Sequence, residues 1–288
     1  MWQTDWTLSR GSSPRPVSAA IDDAAYVGTI PQHYHHGIGP FLFEPFARYT
    51  AERMRALAPA RTLETACGTG IVTRRLRDAL PAGALLVATD LNPPMLNVAR
   101  ATMPGADRVE WAQADMCNLR FADHQFDAVV CQFGLMFVRD KRAAICEARR
   151  VLRPGGRLLL STWAPLERNP IVGVAHYAIA EVFPEDPPRY LRRVPFGHGD
   201  PEALTALLIE TGFSDVEVDL VERAATSPSA RELAVGLIEG YPLIEEIKQR
   251  DPSRLPAATD AVTSAIARQF GASPVKGRIT AVVASAIA

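Results

Sequence analysis

The sequence predicts an α/β fold, a mostly parallel sheet with helices on both faces. Three observations predict it. From residue 61 onward, short apolar runs alternate with amphipathic segments, the pattern of strand–helix–strand units. The chain has 288 residues, 48% hydrophobic and 22% charged, enough for one large domain or a core domain with a cap. The stretch Thr62-Leu63-Glu64-Thr65-Ala66-Cys67-Gly68-Thr69-Gly70 reads as a strand that ends in tiny residues just before a helix. Tiny residues let the backbone approach a ligand closely, and a helix start offers free N–H groups.

Strands are predicted at 61–66, 84–90, 108–112, 126–132 and 156–163, with helices at 70–80, 93–102 and 139–152. The helix at 139–152 ends in Arg149, Arg150 and Arg153, whose charges suit a helix C-terminus, and Pro154-Gly155-Gly156 stops it. Asn92 and Pro93 read as the cap and first residue of the helix at 93–102. The Pro-rich stretch 164–200 breaks the alternation and is too long for a plain loop, so it predicts an inserted cap. A helix at 201–211 then leads through Gly212 to a strand at 214–222, a helical insertion at 229–271 and a last strand at 278–287. Ahead of the sheet, residues 1–25, with Ser12, Ser13, Pro14 and Pro16, predict a flexible N-terminal arm. Residues 26–60, with Phe41, Phe43, Phe46 and Leu57, predict an N-terminal helical lid.

Composition narrows the function. A formal net charge of -1 carries no basic footprint for a phosphate backbone, so a nucleic-acid partner is disfavoured. Cys67, Cys117, Cys131 and Cys146 have no metal-ligand spacing and read as reduced, mostly buried thiols; no metal site is expected. The apolar runs Leu158–Leu160 and Thr280–Ala288 fall short of the ~20 residues of a membrane helix, so no transmembrane segment is expected. With no apolar leader, a cytoplasmic location is the default expectation.

The site candidates are acids at strand ends. The glycine loop lacks the third glycine of a dinucleotide fingerprint, since Thr73 stands there. Glu64, just before the loop, would oppose a pyrophosphate and suit a cationic ligand. Asp90, which follows Gly70 by 20 residues, can accept two ribose hydroxyls, and Asp115 can accept adenine amino hydrogens. An NAD(P)-dependent oxidoreductase remains the alternative that shares Asp90.

These pieces, with Asp90-Leu91-Asn92, Met95-Leu96, Ala114-Asp115-Met116, Phe126 to Phe133 and Leu152 to Gly156, resemble the class I S-adenosylmethionine-dependent methyltransferases. They are most similar to the branch of the ubiquinone/menaquinone biosynthesis C-methyltransferases. The resemblance implies a Rossmann-like seven-stranded sheet with a reversed final hairpin, and makes 61–288 the methyltransferase domain. It implies S-adenosyl-L-methionine as cofactor and a small-molecule methyl acceptor as partner; a homodimer is left open. It also implies roles. Glu64, Ala66, Cys67 and the Gly68–Gly70 backbone would hold the methionine end. Asp90 would hold the ribose, and Leu91 and Met95 would sandwich the adenine. Ala114, Asp115 and Met116 would edge the adenine, while Gln132 and Phe133 would flank the sulfonium. Ala66 departs from the family's usual first glycine, and Thr65 from its usual apolar residue.

Tyr34, before the first helix of the core, is by the same resemblance a candidate to fold over the cofactor. His33, His35 and His36 are candidates for a general base, against a plain surface cluster. Trp163, Phe183, Tyr190 and Phe196 either line an apolar or aromatic acceptor site or form the core of the cap. Methyl transfer to carbon or oxygen is the expected reaction. Cofactor binding without transfer, or electrostatic use of the cofactor in a rearrangement, would keep the same motifs. If the lid begins at 26, removal of 1–25 leaves cofactor binding intact.

Overall fold

The computed structural model describes residues 22–105 and 108–288. The chain opens with a strap, 22–26, then a short helix α1 (Ile30–His33) and a π-helical stretch, Tyr34–Phe43. That stretch runs straight into α2 (Glu44–Leu57), where the N–H of Glu44 still bonds to the carbonyl five residues back, on Gly39. The sheet domain follows as β1 (Arg61–Glu64), α3 (Ile71–Ala79), β2 (Leu85–Asp90), α4 (Pro93–Thr102), β3 (Val109–Gln113), β4 (Phe126–Gln132), α5 (Lys141–Val151) and β5 (Leu152–Trp163). Beyond it lie α6 (Pro170–Val182), α7 (Tyr190–Arg193), α8 (Pro201–Glu210), β6 (Ser214–Ser227), α9 (Ala230–Glu239), α10 (Leu243–Arg250), α11 (Leu255–Phe270) and β7 (Val275–Ile287).

The seven strands form one sheet in the order β3-β2-β1-β4-β5-β7-β6. The pairs from β3 to β5 are parallel, while β7 runs antiparallel to both β5 and β6. This is the seven-stranded sheet with a reversed final hairpin. Alternate residues serve two cores. Leu63, Val129, Leu158 and Leu160 pack with Ile145 of α5 and Leu208 of α8 on one face. Ala88, Val130, Leu159 and Val283 pack with Leu76 of α3, Leu96 of α4 and Phe46 of α2 on the other. A strand covered on both faces has no polar side to alternate with, hence the near-continuous apolar runs. Asp140 caps α5 by accepting the Ala143 N–H at 2.8 Å, and Arg149 and Arg150 close its last turn.

The structure adds detail to the sequence expectations. The helical insertion at 229–271 holds three α-helices, broken at Tyr241-Pro242 and Asp251-Pro252. Proline has no N–H to donate and clashes with the preceding turn. The cap aromatics Trp163, Phe183, Tyr190 and Phe196 are all buried in the apolar core, so the cap-core reading holds for them. Of the expected arm 1–25, residues 1–21 lie outside the described residues, but 22–25 are held. The Arg193 guanidinium pairs with the Asp23 carboxylate at 2.7 Å, and the Tyr190 hydroxyl donates to the Asp23 carbonyl at 3.1 Å. The thiols are also less uniform than expected: Cys67 and Cys131 are buried, Cys117 is half-buried and Cys146 is exposed. Among the described residues no helix is long and apolar enough to cross a membrane.

The N-terminal helices, the cap and the insertion share one apolar core with one face of the sheet. The π-helical stretch and α9 meet at Gly37 and Gly236, where a Cβ added at Gly236 would stand 2.6 Å from the Gly37 carbonyl carbon. Only glycine lets the π-helical stretch and α9 touch backbone to backbone. A Gly236→Ala substitution is therefore expected to destabilise the protein by about 1–3 kcal/mol through overpacking, measured as a loss of unfolding free energy in denaturant titration.

Candidate active site

A cavity of about 380 Å³ opens at the carboxyl ends of the parallel strands, the place where open α/β sheets bind ligands. Ala66 and Gly68 line it from the turn after β1; Asp90, Leu91, Asn92 and Met95 from the turn into α4. Ala114, Asp115, Met116 and Cys117 form the wall after β3, and Gln132, Phe133 and Gly134 the wall after β4. Tyr34 and the strap residues Asp22, Ala24 and Tyr26 cover it. The structure thus brings together Tyr34, Ala66, Gly68, Asp90, Leu91, Met95, Ala114, Asp115, Met116, Gln132 and Phe133. Glu64, Cys67 and Gly70 are not among the residues that line the cavity.

Asp90 is the organising acid. It is 7% exposed, and one oxygen accepts the Gly68 N–H while the other accepts the Asn92 N–H, both at 2.8 Å. Each carboxylate oxygen has two lone pairs, so acceptor capacity remains toward the cavity. Burial pushes its carboxyl up, against these amide bonds, which pull it down. Asn92 holds the helix-cap position as expected, but its side chain does not cap. Its Oδ1 accepts the Tyr26 N–H at 3.3 Å and its Nδ2 donates to the Ala24 carbonyl at 3.0 Å. The amide that sequence reasoning assigned to a helix end fastens the strap instead.

Glu64 ends β1 with 2% exposure, and its Oε2 has no hydrogen-bond partner among the described residues. Burial raises its carboxyl to about 8, against the Thr73 hydroxyl, which pulls it down, and with the nearby Asp90, which pushes it up. Such an acid lacks a counter-cation. Gly68 takes φ +57°, and a Cβ there would stand 3.6 Å from Met95 Cε and 3.9 Å from the Tyr34 hydroxyl, inside the cavity wall. Asp115 is exposed and accepts the Cys117 N–H at 2.8 Å, while Leu91 offers a half-exposed side chain.

After β4 the backbone is strained. Phe133 takes φ +59°, rare for an aromatic residue, and its N–H donates to the Ser161 carbonyl at 2.9 Å. Its ring stacks on Trp163 with centroids 3.8 Å apart. Gln132 lines the cavity, and its amide is held in place: Oε1 accepts from the Thr50 hydroxyl at 2.9 Å and Nε2 donates to the Phe43 carbonyl at 3.3 Å, leaving one lone pair and one N–H.

The three histidines are not among the cavity-lining residues. His35 contacts the back of the glycine turn, its Nδ1 2.9 Å from the Thr69 hydroxyl, and burial lowers its pKa to about 4. His33 lies 3.6 Å from Glu239 on α9, and His36 packs edge-on against His35. Sequence reasoning missed the strap, Phe137 and Arg139, whose only signal was proximity to a motif. It could have suspected Tyr26, the first residue of the expected lid.

Fold and cavity together define the class. A family profile described as a methyltransferase domain matches residues 63–160. The chain belongs to the class I S-adenosylmethionine-dependent methyltransferases, and its relatives fall in one branch of them. It is 32% identical, over 61% of its length and 73% of the relative's, to a ubiquinone/menaquinone biosynthesis C-methyltransferase, UbiE, of Ectopseudomonas mendocina. It is 38% identical to the protein of the same name in Hahella chejuensis over 45% of this chain, a match that spans 53%, about half, of that relative's length. A phosphoethanolamine N-methyltransferase 2 of Haemonchus contortus, solved with S-adenosyl-L-methionine, shares the fold with a TM-score of 0.56 at 18% identity, covering 93% of this chain and 58% of its own.

Two outcomes follow from this geometry. Because 22–25 are anchored, deleting 1–25 is expected to speed release of S-adenosylhomocysteine, as is Asp23→Ala, whereas deleting 1–20 leaves it unchanged; stopped-flow release measurements check this. For Glu64, a raised carboxyl keeps its proton in the folded state while the unfolded chain has lost it. Stability of the ligand-free protein therefore falls as pH rises from about 5 to 8. Glu64→Gln should remove this component of the slope, read from unfolding free energies across that range.

Proposed function

We propose that this chain transfers the methyl group of S-adenosyl-L-methionine to a carbon or oxygen of a small aromatic molecule. The observation that carries the reading is a buried acid, Glu64, with one oxygen left unbonded beside a glycine turn, and a second acid at the next strand end. The fit is chemical: Glu64 lacks a cation, and the cofactor's methionine end carries an ammonium. Bound, the cofactor supplies a methyl group already activated by its sulfonium.

The chain's own residues then bind, orient and exclude water. Glu64, with Ala66, Cys67 and the Gly68–Gly70 backbone behind it, holds the methionine end. Asp90 accepts the ribose hydroxyls with its remaining lone pairs. Leu91 and Met95 hold the adenine between them, with Ala114, Asp115 and Met116 at its edge. Tyr34, Gln132 and Phe133 bound the reacting end, where the bonds to Thr50 and Phe43 fix the Gln132 amide in place. The strap closes the cavity to water, and alignment of this kind can contribute several kcal/mol to the rate. None of His33, His35 and His36 is positioned to take a proton from an acceptor in this cavity, which favours an acceptor that ionises readily. The names of the UbiE relatives make a quinol ring the first acceptor class to test.

The test is a radiolabelled methyl-transfer screen with soluble phenols and naphthoquinols, following S-adenosylhomocysteine release. Labelled product is expected with at least one ring acceptor; binding of S-adenosylmethionine with no transfer across the screen would favour a binding role. In the same preparation, Asp90→Ala is expected to cost about 2–4 kcal/mol of cofactor binding, a loss of tens- to several-hundred-fold read by calorimetry. Unchanged affinity would remove Asp90 from the cofactor's contacts.

A further inference from the structure

A second cavity, of about 230 Å³, lies on the sheet face that α5 and α8 cover. Leu135, Leu204 and Leu207 give it apolar walls. Its polar groups are Lys141, the first residue of α5, and His198, with Asp200 at the start of α8. None of these residues lines the first cavity. The loop that carries His198 is packed against β5, since a Cβ on Gly199 would collide with the Trp163 carbonyl.

Lys141 is an incompletely satisfied cation. Its Nζ donates to the Val138 carbonyl at 3.1 Å, which leaves two of its three N–H groups. Burial pushes its pKa down, and no carboxylate acts the other way. Burial also pushes the His198 ring down, and Lys141 adds to this, so the ammonium is close enough to oppose a proton there. Asp200 is engaged elsewhere: its Oδ1 accepts the Glu202 N–H at 2.9 Å as the cap of α8. A half-buried ammonium without a counter-charge, in a cavity with leucine walls, suits an anion with an apolar body. The Asp200 carboxylate at the rim disfavours a second negative charge on that ligand.

The segment 134–141 lies between the two cavities. Gly134, Phe137, Val138, Arg139 and Asp140 line the first, while Leu135 and Lys141 line the second. An anion that draws the ammonium off the Val138 carbonyl removes a tether from the wall of the first cavity.

We propose that the second cavity binds a small monocarboxylate with an apolar body, which weakens cofactor binding by competing with the Val138 carbonyl for the Lys141 ammonium. Two ligands that bias one segment are coupled, and the coupling is reciprocal. Carboxylate binding, the first arm of the test, is independent of the methyltransferase reading. The second arm uses S-adenosylhomocysteine and rests on it.

The probes are hexanoate, 1-hexanol and inorganic phosphate, each titrated calorimetrically into the full chain. Hexanoate is expected to bind at least about tenfold more tightly than either of the others. Lys141→Gln should weaken hexanoate binding about tenfold or more, as should Ala203→Glu, which sets a negative charge beside the cavity on the exposed first turn of α8. In the wild type, saturating hexanoate is expected to lower the affinity for S-adenosylhomocysteine about fivefold. The same hexanoate concentration should have little effect on Ala203→Glu, which without hexanoate should bind S-adenosylhomocysteine as the wild type does. No hexanoate binding, equal binding of phosphate or hexanol, or hexanoate binding unchanged in a folded preparation of either variant would each overturn the proposal. So would hexanoate binding that leaves the affinity for S-adenosylhomocysteine unchanged or raises it. A hexanoate-dependent loss that persists in full in Ala203→Glu would overturn it too, assigning the carboxylate to the cofactor's own cavity.

Discussion

The Asp90 carboxylate ties together the parts that make the cavity. One oxygen holds the Gly68 amide of the turn after β1, and the other holds the Asn92 amide of the turn after β2. The Asn92 side chain carries the connection onward to Tyr26 and Ala24 of the strap. A charged acceptor bonds more strongly than a neutral one, so one buried acid can set the relative position of three segments. The cost is visible in its raised carboxyl: burial opposes ionisation, and only the amides hold it down.

Strain gathers at the same place. Ala66 takes φ +52° and Phe133 φ +59°, and a Cβ on Gly134 would collide with the Cβ of Ala66. The turns after β1 and β4 thus approach as closely as side chains permit, which explains why this chain tolerates Ala66 where a glycine is usual. Left-handed backbone at non-glycine residues persists only where the surroundings over-determine it. Here the Ser161 carbonyl and the face of Trp163 fix Phe133 from behind. Glu64 shows the same priority, since a carboxyl without a partner weakens the ligand-free fold but is complementary to a cationic ligand.

The upper wall is built differently. The strap is joined to the cap through Arg193, which also reaches Glu246 of α10 at 3.0 Å, so an ion-pair chain links it to the insertion. Glu246 is buried and also accepts the Arg189 N–H at 2.8 Å. The network holds the polar end of the strap, while Tyr26 anchors the other end in the apolar core. The π-helical stretch behind it is held by the opposite means, direct backbone contact at Gly37 and Gly236. The lid is thus anchored firmly at its base and electrostatically at its edge.

All seven strands were legible in the sequence, because a two-sided parallel sheet writes itself as short apolar runs between amphipathic helices. The glycine turn and the acids at 64, 90 and 115 were legible for a related reason: they sit at fixed distances from strand ends, and strand ends are local features. Sequence by itself therefore determined the fold class, the family and the sheet side of the cavity. What only the tertiary structure decided are contacts between distant segments. The Asn92 side chain goes to a strap 66 residues away, the Gln132 amide goes to Thr50 and Phe43, and His35 lies behind the glycine turn. The cap aromatics became core, and Tyr26 of the strap came to the cavity. No periodicity encodes such choices, because they depend on which side chains three separate insertions bring to one point once the sheet has formed.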